Sequence, residues 1–450
     1  MRFFRWFLSL NRSFLIAFSF VILIGIGTVL LMLPQVTTSG KSLNPIDALF
    51  MATSASTVTG FAVINISTEL NRLGQVIILI LYLIGAFGLM TITTIIGLGF
   101  GNSMDMRTKL LLKETLNQNE ASDVGRILKQ IVIYSFGIST FGGAALTCIL
   151  FDEYGLRSFY IGFWHAISAF CNSGFDVLTT EAGMRGYATN LEVNLILIVL
   201  ISLGGLGFAV IGDIANKKSW KKLMLHTKLV IATNAILYVG GAILFFALEY
   251  SNTGTIGQFA LNDKILVSCF QSVTTHSAGF ATIDLTKMRD ATFILFYIMM
   301  FIGASPASCG GGFKTTTFAV LVLNSFSQIR GKKEVTAFGR RIDQETISRA
   351  SSIFWLSILW IVFALFLIMA LDELDNGQTH AFQLIVFEVI AAFSTVGCGL
   401  GITPDWNIYC KLVLIATMYM GRISMLTFGM SFVTHKVDKV RYPIEKIIIG

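Results

Sequence analysis

Four stretches of the sequence end in the same way: MATSASTVTGF (51–61), HAISAFCNSGF (165–175), FQSVTTHSAGF (270–280) and EVIAAFSTVGC (388–398). They align on four glycines, which are Gly60, Gly174, Gly279 and Gly397. Each glycine has a small residue five positions earlier, and the glycines recur at intervals of 105 to 118 residues. Self-similarity at a steady spacing indicates an internal repeat whose copies need one another to bury their surfaces.

The composition places the chain in a membrane. Of its 450 residues, 54% are hydrophobic and only 13% are charged, whereas average soluble proteins carry roughly 25% charged residues. A water-soluble fold of this length could not bury so much apolar surface. The net charge of +7 comes from basic residues in short loops between apolar runs. It therefore informs orientation in the membrane and gives no reason to invoke a nucleic-acid partner.

Eight apolar segments are long enough to cross about 30 Å of hydrocarbon. They cover residues 13–33, 73–99, 127–151, 192–215, 228–249, 291–326, 351–371 and 409–434. Within each consecutive pair lies a shorter, semi-apolar stretch: 45–57, 158–171, 262–275 and 379–394. These stretches are too short to span and fit re-entrant half-helices that return as extended chain. We therefore predict an all-α membrane protein with eight transmembrane and four re-entrant helices.

Lysine and arginine mark one side of this predicted membrane protein. They concentrate at the N-terminus, in the loops after the second, fourth and sixth spans, and in the C-terminal tail. The opposite connections are poorer in basic residues and carry acids such as Asp152 and Asp372. The positive-inside rule then predicts a multi-pass protein of the cytoplasmic membrane with both termini in the cytoplasm.

The glycine-containing ends of the four stretches predict a cation pathway. Extended backbone at membrane depth is tolerated only inside protein or beside water, so four such loops can meet on a common axis. Their carbonyls can then replace the hydration shell of a cation, and the partly negative C-terminal ends of the short helices favour the same charge. For any single loop the alternative is ordinary packing of small residues between helices.

With these motifs the chain resembles the Trk/Ktr/HKT superfamily of K⁺ transporters, and within it the KtrB-type membrane subunits of bacterial Ktr systems. The motifs are TVTGF (57–61), CNSGF (171–175), HSAGF (276–280), TVGCG (395–399) and GASPASCGGGFKTTT (303–317). The resemblance implies K⁺ uptake through four tandem M1–P–M2 repeats, each a transmembrane helix, a re-entrant pore helix and a second transmembrane helix, around a central pore. The implied repeats are residues 1–105, 106–220, 221–335 and 336–450, the last including the C-terminal tail.

The resemblance also implies a selectivity filter that binds K⁺ by backbone carbonyls. Its residues are Thr57, Val58, Thr59, Gly60, Cys171, Asn172, Ser173, Gly174, His276, Ser277, Ala278, Gly279, Thr395, Val396 and Gly397. In this superfamily a glycine at the first filter position goes with K⁺ preference and a serine with Na⁺, and this sequence has Gly60. Cys398 stands where the other repeats have Phe, which leaves the fine selectivity open. Whether Na⁺ is coupled or only activates is also open.

A helix break is predicted within the sixth apolar segment. Pro306 removes a helix hydrogen bond, and three consecutive glycines, Gly310 to Gly312, cost about 2–3 kcal/mol of helix propensity. A packing kink is one interpretation, whereas the resemblance implies an intramembrane gate in the third repeat. Its residues are Gly303, Ala304, Ser305, Pro306, Ser308, Gly310, Gly311, Gly312, Lys314 and Arg422.

Arg422 stands deep in the eighth predicted span, about 20 Å from its start by helix geometry. A charge at that depth is costly and should face the pore or a partner. We expect it to contact backbone carbonyls or a polar group of the 303–317 segment, unless the side chain snorkels to the surface.

Two other classes of function are considered. An alternating-access secondary transporter usually carries paired broken spans, and only the sixth segment is expected to be broken. A membrane-embedded enzyme is excluded because the sequence contains no H-E-x-x-H motif, no paired acids and no phosphate-binding glycine loop in its apolar segments.

The resemblance implies two kinds of protein partner. One is a second copy of the chain in a homodimer, and the other is a cytosolic ring of nucleotide-binding regulatory subunits of the RCK type. The basic loops offer a docking surface for such a ring, although solvated charge explains them equally well.

Overall fold

The computed structural model describes residues 12–88, 124–179, 183–373 and 380–424, and helix predominates in them. Four long helices recur along the chain: Arg12–Leu31, Val124–Tyr154, Leu225–Glu249 and Gln344–Asp372. Each is long and apolar enough to cross a membrane. Only 22% of the most apolar part of Gln344–Asp372 is buried, so an apolar surface faces outward, as a lipid environment requires.

A shorter helix follows each long one: Pro45–Ser56, Arg157–Cys171, Leu261–Ser277 and Phe382–Phe393. These helices lie between the longer ones and are mostly buried at their C-terminal ends. The first begins where Asn44 accepts a hydrogen bond from the Ile46 N–H and Pro45 takes the first helical position, a favoured helix start.

After each of these shorter helices comes a third helix: Arg72–Phe87, Leu191–Leu206, Asp290–Phe301 and Ile408–Ile423. All four are shorter than the apolar segments that predicted them. Three of them end at a residue with positive φ and extended ψ: Gly88 (80°, 139°), Gly207 (94°, 138°) and Ser424 (75°, 131°). Residues 89–99 of the second predicted span and 425–434 of the eighth lie outside the described residues. So do residues 1–11, residues 100–123 of the basic loop after the second span, and the tail from residue 435.

The fourth predicted span is broken, contrary to the expectation that only the sixth would be. Leu191–Leu206 and Phe208–Lys217 meet at Gly207 with a bend of 96°. The backbone at Gly207 has φ 94°, which turns the chain out of the helix and strongly favours glycine. Four described helices, or five if this bent pair is one span, are long and apolar enough to cross a membrane.

The sixth segment is interrupted between Phe301 and Thr315. Two-residue strands, Ile302–Gly303 and Phe313–Lys314, pair in parallel across the interruption, and the helix Thr315–Ile329 follows. A β-hairpin pairs Thr336–Ala337 with Arg340–Arg341. The remaining short elements are Pro34–Val36, Ile66–Glu69, Gly183–Tyr187, Trp220–Lys222, Leu285–Lys287 and Thr403–Asp405.

Candidate ion pathway

Each short helix ends in a turn that is hydrogen-bonded to the small residue five positions before the glycine. The backbone N–H groups of Val58, Asn172, Ala278 and Thr395 donate to the carbonyls of Ala55, Ala169, Thr274 and Ala392 at 2.8 to 3.1 Å. These acceptors are the small residues five positions before each glycine. The repeated pattern thus marks a helix C-cap in which the carbonyls at the helix end are satisfied by the turn.

The third turn differs from the other three. Val58, Asn172 and Thr395 have positive φ values of 60°, 57° and 51°, whereas the third helix continues to Ser277 and its turn closes through a hydrogen bond from the Gly279 N–H to the Thr274 carbonyl at 3.1 Å. The turns are called the glycine loops below, and comprise residues 57–60, 171–174, 276–279 and 395–397.

The four glycines meet in a ring. All have positive φ: Gly60 (93°), Gly174 (69°), Gly279 (76°) and Gly397 (72°). A Cβ on each would overlap a carbonyl oxygen of the next loop, in the order Ser173, Ala278, Val396 and, closing the circle, Thr59. Each of these carbonyls precedes the next glycine in the ring. Both the backbone conformation and the close approach therefore require glycine at all four positions.

The carbonyls at this ring lie outside the hydrogen-bond pattern of the described backbone. In the part of the chain that the structure describes, no N–H group donates to the carbonyls of Thr59, Ser173, Ala278 or Val396. Buried carbonyls are almost always paired. Four unpaired carbonyls that converge inside an apolar protein therefore form a set of ligands suited to a desolvated cation.

Polar side chains of the glycine loops bond to one another or to the protein behind the loops. Thr57 Oγ1 and Thr59 Oγ1 lie 2.7 Å apart, and Ser173 Oγ lies 2.9 Å from Ser168 Oγ. The His276 ring packs edge-on against Tyr238, with the ring centroids 5.4 Å apart. These predicted filter residues thus support the loops with their side chains, which leaves backbone oxygens to face the ring.

An open cavity of about 600 Å³ lies on one side of the ring and is lined by all four glycines. Its charged lining residues are Asp176 and Arg185. Asp176 is held in place by the Leu178 and Met184 N–H groups, at 2.7 and 3.0 Å, and by His165 Nε2 at 2.9 Å. The cavity joins the ring to the exterior, so a hydrated ion can approach the carbonyls from this side.

A second carboxylate lies near this entrance, outside the membrane-spanning helices. Asp284 accepts hydrogen bonds from the Thr286 hydroxyl at 2.6 Å and from the Thr286 N–H at 3.2 Å. The hydroxyl bond is the main cause that lowers the pKa of Asp284, and the positive charge of Arg185 acts in the same direction. Asp284 is therefore ionised at neutral pH, and part of its charge is balanced by Lys287, whose Nζ lies 3.4 Å from Asp284 Oδ2.

The 303–317 segment lies on the opposite side of the ring. The Gly311 N–H donates to Thr395 Oγ1 of the fourth glycine loop at 2.9 Å. A Cβ on Gly310 would lie 3.5 Å from both Asn172 Nδ2 and Ser277 Cβ, in the second and third loops. The segment therefore lies directly against three of the four loops.

Neighbouring helices hold this segment by its backbone. The N–H groups of Ser305 and Cys309 donate to the carbonyls of Gly205 and Gly204 at 3.1 and 3.2 Å. At the break in the fourth predicted span, the Phe208 N–H donates to the Ala307 carbonyl at 2.9 Å. The broken end of one helix thus satisfies polar groups of the interrupted sixth segment.

Two cations bind carbonyls of the segment. Lys314 Nζ donates to the Gly310 carbonyl at 2.7 Å and to that of Gly311 at 3.3 Å. Arg422 Nη1 donates to the Cys309 carbonyl, while Nη2 donates to the carbonyls of Gly85 and Ala86 at 2.6 and 3.0 Å. Arg422 is part-buried in this network, so it does not snorkel to a surface.

Sequence reasoning missed two residues outside the 303–317 segment that hold it, Asn234 and Gly207. Asn234 Nδ2 donates to Ser305 Oγ at 3.0 Å, and Thr315 Oγ1 lies 2.9 Å from the same oxygen. Gly207 is the other, because a Cβ there would lie 2.5 Å from the Pro306 carbonyl oxygen. An asparagine in an apolar span and the GGLG run at 204–207 were the available signals.

A ring of unpaired carbonyls among apolar helices is characteristic of an ion-transporting membrane protein. The chain belongs to the TrkH family of cation transport proteins, whose family model matches residues 7–441. It is a multi-pass protein of the cell membrane and an ion transporter rather than an enzyme.

The relatives agree with this family. The Ktr system potassium uptake protein B of Bacillus subtilis (strain 168) is 37% identical over 97% of this chain and 96% of its own length. The potassium/sodium uptake protein NtpJ of Enterococcus hirae is 35% identical over 97% of this chain and 96% of its own. The crystal structure of the potassium transporter TrkH from Vibrio parahaemolyticus has the same fold, with a TM-score of 0.72 at 20% identity over 94% of this chain and 85% of that one.

Proposed function

We propose that this chain takes up K⁺ across the cytoplasmic membrane through the ring of glycine loops. The observation that carries the proposal is the closed circle of four glycines and four carbonyls, to which no described backbone N–H group donates. Relatives that match nearly the whole chain are potassium uptake proteins by name, and one is a potassium/sodium uptake protein. K⁺ is therefore the transported ion, and Na⁺ is the candidate for a coupled or activating one.

The architecture proposed for this pathway is four M1–P–M2 repeats around one pore, with boundaries at residues 1–105, 106–220, 221–335 and 336–450. The recurring order of long, short and third helix supports it. In this arrangement the glycine loops form the selectivity filter, both termini are cytoplasmic, and the 600 Å³ cavity is the outer entrance.

The 303–317 segment is the proposed gate. It lies against three glycine loops on the side away from the entrance, and Lys314 and Arg422 hold its carbonyls. A segment tied by hydrogen bonds to several helices has a defined closed position, and loss of a few bonds would release it.

Flux into liposomes tests both proposals. Purified wild-type protein should carry K⁺ and Rb⁺ well and Na⁺ poorly, and a variant lacking residues 309–313 should carry K⁺ faster. Equal K⁺ and Na⁺ flux in the wild type would contradict a K⁺-selective ring. Unchanged K⁺ flux in the deletion variant would contradict the gate and leave the ring intact as a proposal.

Alternating access is the second candidate. The break at Gly207 gives the chain a second interrupted span in contact with the first, which removes one argument against a rocking transporter. Single-molecule recordings in a planar bilayer discriminate the two, because an open pore passes current in discrete steps and an alternating-access carrier is far too slow to do so.

Two partners complete the proposal. Relatives named as proteins B and D of a Ktr system support a multi-subunit assembly, and we expect a homodimer docked on a cytosolic nucleotide-binding ring. Native mass spectrometry of the purified chain should give twice the chain mass of 49.4 kDa. A monomeric mass in a mild detergent would count against the dimer.

A further inference from the structure

Two exposed aromatic side chains contact each other at one end of the molecule. Trp220 and Phe338 are each 48% exposed, and their ring centroids lie 6.1 Å apart in an edge-on arrangement. Trp220 belongs to the turn before the helix Leu225–Glu249, and Phe338 is at the tip of the 336–341 hairpin. Two segments distant in sequence thus present a pair of large rings to the surroundings.

The hairpin holds Phe338 in a conformation that phenylalanine disfavours. Phe338 has φ 49° and Gly339 has φ 74°, the two positive values of a type I′ turn, for which Asn–Gly is the usual pair. A bulky side chain at positive φ is a costly outlier of the kind found at functional positions. An asparagine would form the same turn without this cost, so the turn alone does not account for phenylalanine at this position.

Basic side chains flank the pair in sequence. Lys218, Lys221 and Lys222 stand beside Trp220 and Arg340 stands beside Phe338, and all four are exposed. The next residue, Arg341, is paired with Glu334 at 2.7 Å. In the described ranges no carboxylate lies within ion-pair distance of these four, whereas the adjacent Lys217 binds Asp213 at 2.7 Å. These four cations and the two rings are called the basic aromatic patch. Its charge is not neutralised within the described part of the protein and fits an external anion.

The patch lies where a membrane span ends. The helix Leu225–Glu249 has 25 residues and is therefore about 37 Å long at 1.5 Å per residue. This slightly exceeds the roughly 30 Å of hydrocarbon, so Leu225 stands close to one boundary of the bilayer. Trp220, Lys221 and Lys222 precede it directly. Tryptophan and lysine are the residues that anchor at this depth, with the ring at the headgroup level and the ammonium toward phosphate.

We propose that the basic aromatic patch binds the headgroup of an anionic phospholipid such as phosphatidylglycerol. The ammonium and guanidinium groups would bind the phosphate, and the two rings would rest on the glycerol and the first acyl carbons. An acidic protein surface would offer the same charge. The position of the aromatic pair at the hydrocarbon boundary favours the lipid.

Native mass spectrometry of the full-length protein tests the site. Wild-type protein should retain phosphatidylglycerol in preference to phosphatidylcholine, and the preference should fall with added salt. The triple variant Lys218→Gln/Lys221→Gln/Lys222→Gln should lose it about tenfold or more, since each lysine near an anionic surface contributes several-fold. The charge-matched control is Lys41→Gln/Arg157→Gln/Lys287→Gln, three exposed cations outside the patch, which should keep the preference.

Phe338→Gly separates binding from folding. Glycine relieves the positive φ, so this variant should unfold at an equal or higher temperature while its preference for phosphatidylglycerol falls. A merely structural ring would give the opposite pair of results.

Three outcomes would overturn the proposal. One is an unchanged lipid preference in the triple variant. Another is displacement of the lipid by inorganic phosphate at the same concentration, which would show a plain anion site. The third is a triple variant that still retains the lipid but no longer binds poly-glutamate, which would assign the patch to an acidic protein.

Discussion

Arg422 Nη2 donates to the carbonyl oxygen of Gly85 at 2.6 Å, although 337 positions separate the two residues. The same guanidinium reaches Cys309 in the interrupted sixth segment. One side chain on the helix Ile408–Ile423 therefore connects the helix Arg72–Phe87 to the proposed gate. Arginine suits this position because its planar fork presents several donors at once and keeps its charge.

Replacing Arg422 should release the gate. In Arg422→Ala, the Cys309, Gly85 and Ala86 carbonyls lose their donor, at about 1–3 kcal/mol for each buried group left unsatisfied. We expect K⁺ flux in liposomes to rise several-fold. Arg422→Lys keeps the charge but cannot reach three carbonyls, so its flux should be intermediate. Arg349→Ala removes an exposed arginine paired with Glu345 and should leave the flux as in wild type, and an equal rise there would contradict a specific role for Arg422.

Thr395→Val should loosen the same segment from the filter side. Valine has nearly the same shape but cannot accept the Gly311 N–H, which now bonds at 2.9 Å. The orphaned N–H should cost about 1–3 kcal/mol and raise K⁺ flux, with K⁺/Na⁺ selectivity unchanged because the carbonyls are untouched. Thr417→Val is the control, since among the described residues that buried hydroxyl bonds to the Val413 carbonyl of its own helix alone. A change in selectivity in Thr395→Val would show that the hydroxyl itself helps bind the ion.

Gly60→Ser should weaken the preference for K⁺ over Na⁺. A side chain at this position would meet the Ser173 carbonyl, so the ring must widen or tilt and its carbonyls would no longer match the larger ion. Competition of Na⁺ with ⁸⁶Rb⁺ uptake measures the effect. Gly40→Ser provides the comparison, because Gly40 also has positive φ, at 69°, but no neighbour within 4 Å. Identical selectivity in wild type and Gly60→Ser would refute the assignment of this ring as the filter.

Gly207→Ala should destabilise the protein. Alanine is strained at φ 94° and its Cβ would lie 2.5 Å from the Pro306 carbonyl oxygen, so a loss of about 1–3 kcal/mol is expected. Thermal unfolding in detergent should show a lower Tm. Gly240→Ala, at an open position in the helix Leu225–Glu249, should instead raise Tm through helix propensity. A Tm for Gly207→Ala at or above the wild-type value would mean that the break needs no glycine.

The apolar composition made the membrane class predictable, the apolar segments gave the order of the helices, and the four glycines indicated the repeat. A small residue at a fixed distance before each glycine is a local signal, because the carbonyls of Ala55 and Ala392 accept turn hydrogen bonds from residues only three positions away. The bend at Gly207 was not predictable in the same way. GGLG in an apolar run indicates close helix packing as readily as a break, and φ is not visible in a sequence. Contacts such as that of Arg422 with Gly85 depend on tertiary packing.

The circle of glycine loops closes only when the fourth loop contacts the first, at Gly397 and Thr59. The fourth loop is synthesised after the other three, so the circle stays open until residue 397 has been added. A chain that stops before residue 397 lacks one of the four sides of the proposed ion site. A copy of the chain truncated there should therefore transport no K⁺ at all, rather than a fraction in proportion to its length.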